Sequence, residues 1–272
     1  MAEIATLDHT GINVQFGMDQ ACGLFSGLGF SLTERGYHSM GSINHLMVFG
    51  PDYLELVGLP PGTENPLTNY GAMAPGINGL VFRTTDVDVT FTHLQEIDMD
   101  VAPPKSFTRP VRTAEGEAMA SFRTVAVRPG IFPGGRVYFC EHGTPELVWR
   151  TEWQNHANGA LATPEFVIAS GANEKEAEDL AHLLHSDLIG AGNALEVPLA
   201  QGKISVLTGA AYRERYGALA SPMEERSSIF GALVFRAENL DGIRSVDAPM
   251  MDEADRVVVR EANFDCVLEF VL

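Results

Sequence analysis

The sequence predicts an α+β fold assembled from four strand–helix–three-strand (βαβββ) units, at about residues 4–58, 77–150, 163–208 and 229–272. Three observations carry that expectation. The stretch NGLVFRTTDVD at 78–88 returns as GALVFRAENLD at 231–241, 153 residues later, with LVFR unchanged and a terminal Asp aligned. A finer repeat lies inside the first half, where HLMVFGPDYLELVG at 45–58 is echoed by RVYFCEHGTPELVWR at 136–150. Between these strand-like stretches, apolar residues recur at helical rather than alternating spacing.

Unit one opens on DHTGINVQFGMD at 8–19, a strand that puts His9, Gly11 and Asn13 on one face and Ile12 and Val14 on the other. Ala21, Leu24, Phe25 and Leu28 then follow a helical spacing, and Gly29 is the expected stop. FSLTERG at 30–36 reads as the next strand, and a hairpin turning at Gly50-Pro51-Asp52 closes the unit. Unit two repeats the plan. INGLVFRTTDVD at 77–88 aligns with 8–19, which places His9 opposite Asn78, and VDVTFTHLQEIDMDV at 87–101 supplies the helix. Its closing hairpin is expected to turn at Gly143-Thr144-Pro145, which brings Glu146 to the place of Glu55.

The segment at 149–163, WRTEWQNHANGALAT, carries aromatic residues and should pack as the join between two halves, about 1–155 and 160–272. Unit three offers EFVIASG as its first strand and a helix over 174–190 with Leu180, Leu183, Leu184 and Leu188 on one face. Unit four offers FGALVFR, the short helix LDGIRSVDA, and CVLEFVL, whose Glu269 matches Glu55.

Composition narrows the function. A net charge of −18 and a pI near 4.7 repel phosphate backbones and anionic lipid, which argues against nucleic-acid and membrane partners. No run approaches the roughly 20 apolar residues of a membrane span. The N-terminal residues MAEIATLDHTG lack the basic-then-apolar order of a signal peptide. Three widely spaced cysteines, Cys22, Cys140 and Cys266, form no C-x-x-C pair and suit a reducing cytoplasm. Phosphate loops, nucleotide fingerprints and Ser or Cys nucleophile motifs are missing from the sequence.

The chemistry concentrates at Glu55, a lone carboxylate in the apolar run NHLMVFGPDYLELVG. A buried carboxylate is costly unless it is paired. Two partners would serve: an arginine such as Arg83, or a metal ion held together with His9 and Glu146. His142, His45 and His38 are spare candidates. His182 and His185 lie in an acidic helix that reads as a solvated face.

LDHTGINV on the first strand, LFSGLGF closing the helix and YLELVG on the last strand resemble the vicinal oxygen chelate superfamily. YLELVG with EHGTPELVWR and NHANGA is similar to its glyoxalase-like domain branch, over residues 4 to about 160 and, through the repeat, weakly beyond. The resemblance implies that paired units curl their mixed sheets into cups with helices outside. It implies a divalent metal (zinc, nickel, manganese or iron) in the first cup, held by His9, Glu55 and Glu146. The fourth ligand position falls on Asn78 or Gly79, which departs from the family pattern. Glu55 and Glu146 are the candidate catalytic carboxylates, and Tyr53, Asn78, Phe139 and His142 are expected to line the substrate pocket, with Trp149 near them. The second half lacks the histidines of ring-cleaving dioxygenases and is expected to be a degenerate scaffold.

Two function classes follow. One is a metal-dependent lyase or isomerase acting on a small oxygenated metabolite through a stabilised enolate or oxyanion. The other is a metal-free small-molecule binder or sequestering protein. A monomer or a homodimer suits either.

Overall fold

The computed structural model describes residues 5–63 and 70–272; residue 4, the expected start of unit one, lies outside them. Unit one contains β1 (Leu7–Gln15), α1 (Met18–Gly27), β2 (Gly36–Tyr37), β3 (Ile43–Val48) and β4 (Tyr53–Gly58). Unit two contains β5 (Gly76–Arg83), α2 (Val87–Glu96), β6 (Lys105–Thr113), β7 (Gly116–Ala126) and β8 (Arg136–His142). Unit three contains β9 (Ala160–Ser170), α3 (Asn173–Leu184), β10 (Ile189–Ala191), β11 (Ala194–Leu199) and β12 (Gly202–Thr208). A helix that the sequence reading missed, α4 (Gly209–Tyr216), precedes unit four. That unit contains β13 (Ser228–Ala237), α5 (Asp241–Arg244), β14 (Met250–Asp252), β15 (Arg256–Glu261) and β16 (Cys266–Val271).

Each half is one eight-stranded mixed sheet, ordered β2-β3-β4-β1-β5-β8-β7-β6 and β10-β11-β12-β9-β13-β16-β15-β14. The first and last strands of each unit run parallel, and the two first strands of a half meet antiparallel at its centre. The repeated LVFR therefore occupies equivalent central strands, β5 and β13. The first sheet curls until its ends meet. Ser39 N–H donates to the Thr108 carbonyl at 2.9 Å, and Thr108 N–H donates to Ser39 Oγ at 3.1 Å, which ties the β2 edge to β6.

Alternation along the strands separates two faces. Ile12, Val14, Leu54, Leu56, Leu80 and Phe82 enter a core shared with α1, α2 and α3 and with the second sheet. Phe30 lies 5.5 Å from Phe235 and 5.9 Å from Phe270 between ring centroids, so the two halves share that core. Fully burying one such ring contributes about 1.5–3 kcal/mol. The join packs as expected: His156 Nε2 reaches the Val48 carbonyl at 2.9 Å, and Asn158 Nδ2 donates to the Leu28 carbonyl at 3.0 Å. Gly29, with φ of +81°, ends α1 as the sequence predicts.

Four local expectations are corrected. Of FSLTERG only Gly36 joins a strand; residues 30–35 form no strand ladder, although the Thr33 N–H donates to the Leu46 carbonyl. The TPELVWR half of the second hairpin is a 3-10 turn over Pro145–Leu147, since β8 already fills the last-strand place of unit two. Leu188 lies beyond α3 and is 37% exposed. The helices do not all lie outside, because α4 plugs the second cup with Tyr212 and Tyr216 against Val167, Ala232 and Val267. No helix among the described residues is long and apolar enough to cross a membrane.

Candidate active site

The strand ladders define equivalent positions in the four units. His9 of β1 pairs with Val81, and Glu165 of β9 pairs with Val234. Val81 and Val234 are the same residue of the repeated LVFR. On the last strands, Glu55 pairs with Gly11, Tyr138 with Val81, Ser205 with Val167 and Glu269 with Val234. The matched last-strand residues are thus Glu55, Tyr138, Ser205 and Glu269. The match of Glu269 to Glu55 holds; the match of Glu146 does not, because Tyr138 stands there. On the first strand of unit two the position falls at Gly79, next to a slip in the β1–β5 ladder that leaves Asn78 unpaired and turned into the cup.

The first cup encloses a cavity of about 820 Å³ whose wall includes His9, Tyr53, Glu55, Asn78, Arg109 and Tyr138. His9 is buried, and its orientation comes from Asp8. The Asp8 carboxylate Oδ1 accepts from His9 Nδ1 at 2.6 Å, which leaves Nε2 facing the cavity, 3.2 Å from the Tyr138 hydroxyl and 4.0 Å from Glu55 Oε2. Tyr53 stacks on the His9 ring with centroids 4.4 Å apart. Burial raises the Tyr53 and Tyr138 hydroxyls well above the usual phenol value, so both remain protonated.

Asp8 is itself fully buried behind the ring. It also accepts from His142 Nε2 at 2.9 Å and, through Oδ2, from Arg83 Nε at 3.1 Å. Burial alone would raise its carboxyl, but the charge and hydrogen bond of His142, with those of His9, hold it well below the ordinary range. Arg83 therefore serves Asp8 and not Glu55. Asp8, Cys140 and His142 also bring ligand atoms within 4.8 Å of one another. Asp8 is already engaged on both oxygens, and burial pushes the Cys140 thiol well up, so the trio acts as the support of His9.

Glu55 has its own partner. Asn44 Nδ2 donates to Oε1 at 2.6 Å and lies 3.3 Å from His38 Nε2. His38 Nε2 is 4.0 Å from Glu55 Oε1, and its Nδ1 bonds Ser42 Oγ at 2.9 Å. Burial lowers His38 to about 4, against the pull of Glu55 and helped by Arg109 and His9, so the ring is neutral at physiological pH. Asn44, steadied by His38, therefore fixes one oxygen of Glu55 and leaves Oε2 to the cavity.

The other expected site residues separate. Tyr53 and Asn78 line the cavity as expected. Glu146 is exposed on the 3-10 turn. Phe139 faces the shared core against Phe82, because Tyr138 and Cys140 take the inner face of β8. His142 points to Asp8, and Trp149 lies beneath the Arg83 guanidinium at 4.3 Å. Sequence reasoning missed Tyr138, Arg136 and Arg109. Arg136 is half-buried, donates to Asn78 Oδ1 at 2.7 Å and to the Tyr70 hydroxyl at 2.9 Å, and stacks on Tyr70. The signal for Arg109 was its place in SFTRPVRT, sharing a strand face with Phe107 and Val111.

Do these residues suit a divalent ion? The imidazole held by a carboxylate, with its free nitrogen beside a second carboxylate, is the arrangement a metal-binding histidine takes. His9 Nε2 and Glu55 Oε2 suit a shared ion. Among the described residues no third carboxylate or imidazole is assembled with that pair, since Glu146 is elsewhere and Tyr138 is a phenol. The second cup takes a different course. Glu165 and Glu269 occupy the positions of His9 and Tyr138, and the guanidinium of Arg215 from α4 bridges them. It donates to Glu165 at 2.7 and 2.9 Å and to Glu269 Oε2 at 2.8 Å. A protein cation stands between the ligand positions there, and Tyr212 and Tyr216 of α4 pack into the cup.

Among solved structures, a hypothetical protein from Staphylococcus aureus superposes with a TM-score of 0.66 at 12% identity, covering 98% of this chain and 99% of that one. A mutant of 4-hydroxymandelate synthase from Streptomyces coelicolor gives 0.55 at 13% identity, covering 99% and 92%. A xylose isomerase-like TIM barrel/4-hydroxyphenylpyruvate dioxygenase fusion protein gives 0.60 at 14% identity, covering 98% of this chain and 49% of that one. At these identities the likeness is one of fold. No curated protein matches the chain by sequence. Residues 7–184 match the family described as the glyoxalase-like domain, and the chain belongs to that family.

Proposed function

We propose that this protein is a metal-dependent enzyme that acts on a small oxygenated metabolite in the first cup, by lyase or isomerase chemistry. One observation carries the reading: a carboxylate-held imidazole, His9, faces the free oxygen of Glu55 at 4.0 Å on the wall of an 820 Å³ cavity. His9 Nε2 and Glu55 would hold the ion, with its remaining positions left to water and substrate. The ion, when bound, supplies polarisation of a substrate oxygen.

The chain's own groups do the rest. Asp8 keeps the His9 ring in one tautomer and orientation. Asn44, itself held by His38, fixes Glu55 Oε1, so that Oε2 is the oxygen turned toward His9 Nε2 and the ion's place. The Tyr138 hydroxyl, kept protonated by burial, supplies a donor for a developing oxyanion. With Glu146 outside the cup, Glu55 is the one of the two candidate glutamates on its wall, where it would serve as a ligand of the ion.

A second reading, a metal-free binder of the same fold, is favoured by the two-donor set, since catalytic zinc sites keep three protein ligands. Titration calorimetry with zinc, nickel, manganese and ferrous ions decides between the two. The enzyme reading expects binding to the wild type that Glu55→Gln abolishes and Glu146→Gln leaves unchanged. If no ion binds the wild type at millimolar concentration, the binder is the better account.

A further inference from the structure

Arg109 projects from β6 into the first cup and is 3% exposed. Its Nε and Nη2 have no hydrogen-bond partner among the described residues. These two nitrogens form one side edge of the guanidinium, with their N–H bonds parallel and spaced to meet two oxygens of a single carboxylate. No ion pair among the described residues includes Arg109. A buried, unpaired charge costs several kcal/mol, and an apolar residue of similar size would avoid that cost.

The surroundings are shaped to keep it. Gly36 of β2 lies against its stem, where an added Cβ would come within 2.4 Å of Arg109 Cδ and 2.2 Å of Asn44 Oδ1. Any other residue at 36 would displace both the arginine and the amide that holds Glu55. Beside the guanidinium, Phe107 and Phe122 stack with centroids 5.1 Å apart, and both line the cavity. The cup thus sets a guanidinium that pairs with no carboxylate among the described residues next to an aromatic wall, on the same cavity as His9 and Glu55.

We propose that Arg109 is the anion anchor of this cup, and that the substrate carries a carboxylate bound by its guanidinium with an apolar body against Phe107 and Phe122. This rests on the reading of the first cup as the substrate site and deepens it to a substrate class. It needs neither the metal nor turnover, so the two can fail separately.

The experiment is calorimetric titration of chelator-treated, ion-free protein with phenylacetate, its neutral analogue phenylacetamide, and phenyl phosphate. The wild type is expected to bind phenylacetate about ten-fold or more tightly than the amide, and more tightly than the phosphate. Arg109→Met should lose that preference while still binding the amide, and Arg109→Lys should keep only part of it. Arg109→Met should also melt no lower than the wild type, since it removes a charge that no protein group pairs. Equal binding of acid and amide by the wild type, or no binding of either at tens of millimolar, overturns the proposal. So does tighter binding of the phosphate, or a preference for the acid that survives in Arg109→Met. A clear fall in the melting temperature of Arg109→Met would assign the arginine a structural role and overturn it as well.

Discussion

Asn44 Nδ2 donates to Glu55 Oε1 at 2.6 Å from the neighbouring strand, so one carboxylate oxygen is fixed and the other faces the cavity. The pairing explains how a carboxylate survives inside an apolar strand without an arginine. It also makes Asn44 a positioning residue. Asn44→Ala should lower divalent-ion affinity about 10–100-fold, as loss of an orienting group does, while Glu55→Gln should abolish it. Calorimetry on both variants checks this, with circular dichroism to confirm that the fold is retained.

Asp8 accepts from three cationic or potentially cationic groups, and removing it leaves them without an anion. Asp8→Asn should destabilise the fold by about 3–5 kcal/mol, the usual cost of breaking a buried pair. The pH dependence has a definite sign. The folded carboxyl lies below its unfolded value near 3.8, so its stabilisation is present above that value and is lost as pH falls below it. Urea denaturation of wild type and Asp8→Asn between pH 7 and pH 2 should show the two converging toward the acid end.

Asp52 behaves in the opposite sense. It is buried at the turn between β3 and β4, accepts from the Thr163 backbone N–H at 3.1 Å, and has its other oxygen unpartnered. Burial raises its carboxyl to about 6, with the Thr163 hydrogen bonds only partly offsetting it. The folded state therefore holds a proton that the unfolded state has released between about pH 4 and 6, and stability falls as pH rises through that window. The span is on the order of 3 kcal/mol. Asp52→Asn should flatten this slope and stabilise the protein above pH 6, as read by denaturation midpoints across pH 4–8.

Arg215 should be structural. Replacing it by Ala leaves Glu165 and Glu269 buried without their guanidinium, at a cost of about 3–5 kcal/mol. Ion binding in the first cup should be unchanged, because α4 lies in the other sheet. A thermal melt and a calorimetric titration of Arg215→Ala test both halves of the statement.

The order of elements was legible because it rests on local chemistry. Alternation in LDHTGINV and YLELVG, helical spacing through Phe25 and Leu28, and the LVFR repeat each depend on near neighbours in the chain. The same local rule put His9 and Glu55 on one face of their strands, and the register of β1 with β4 agrees. Glu146 misled because PELV reads like the end of a strand. The strand before it, Arg136–His142, had already taken the last-strand place, and a sheet has one such place per unit.

What the sequence by itself determined was the four-unit plan, the family, and four of the residues on the cup wall, His9, Tyr53, Glu55 and Asn78. Which residues complete that wall was decided only by tertiary structure. Arg109, Tyr138 and His38 lie 29 to 129 positions from His9 in the chain. They reach the cup because the first sheet curls until β6 closes on the β2 edge, a consequence of strand pairing across the whole half. The fate of the second cup was decided in the same way. In the sequence Glu269 simply matches Glu55, and it is the packing of α4 against the second sheet that sets Arg215 between Glu269 and Glu165. Charge compensation at such distances depends on how strands pair and helices pack, and no local pattern of residues encodes it.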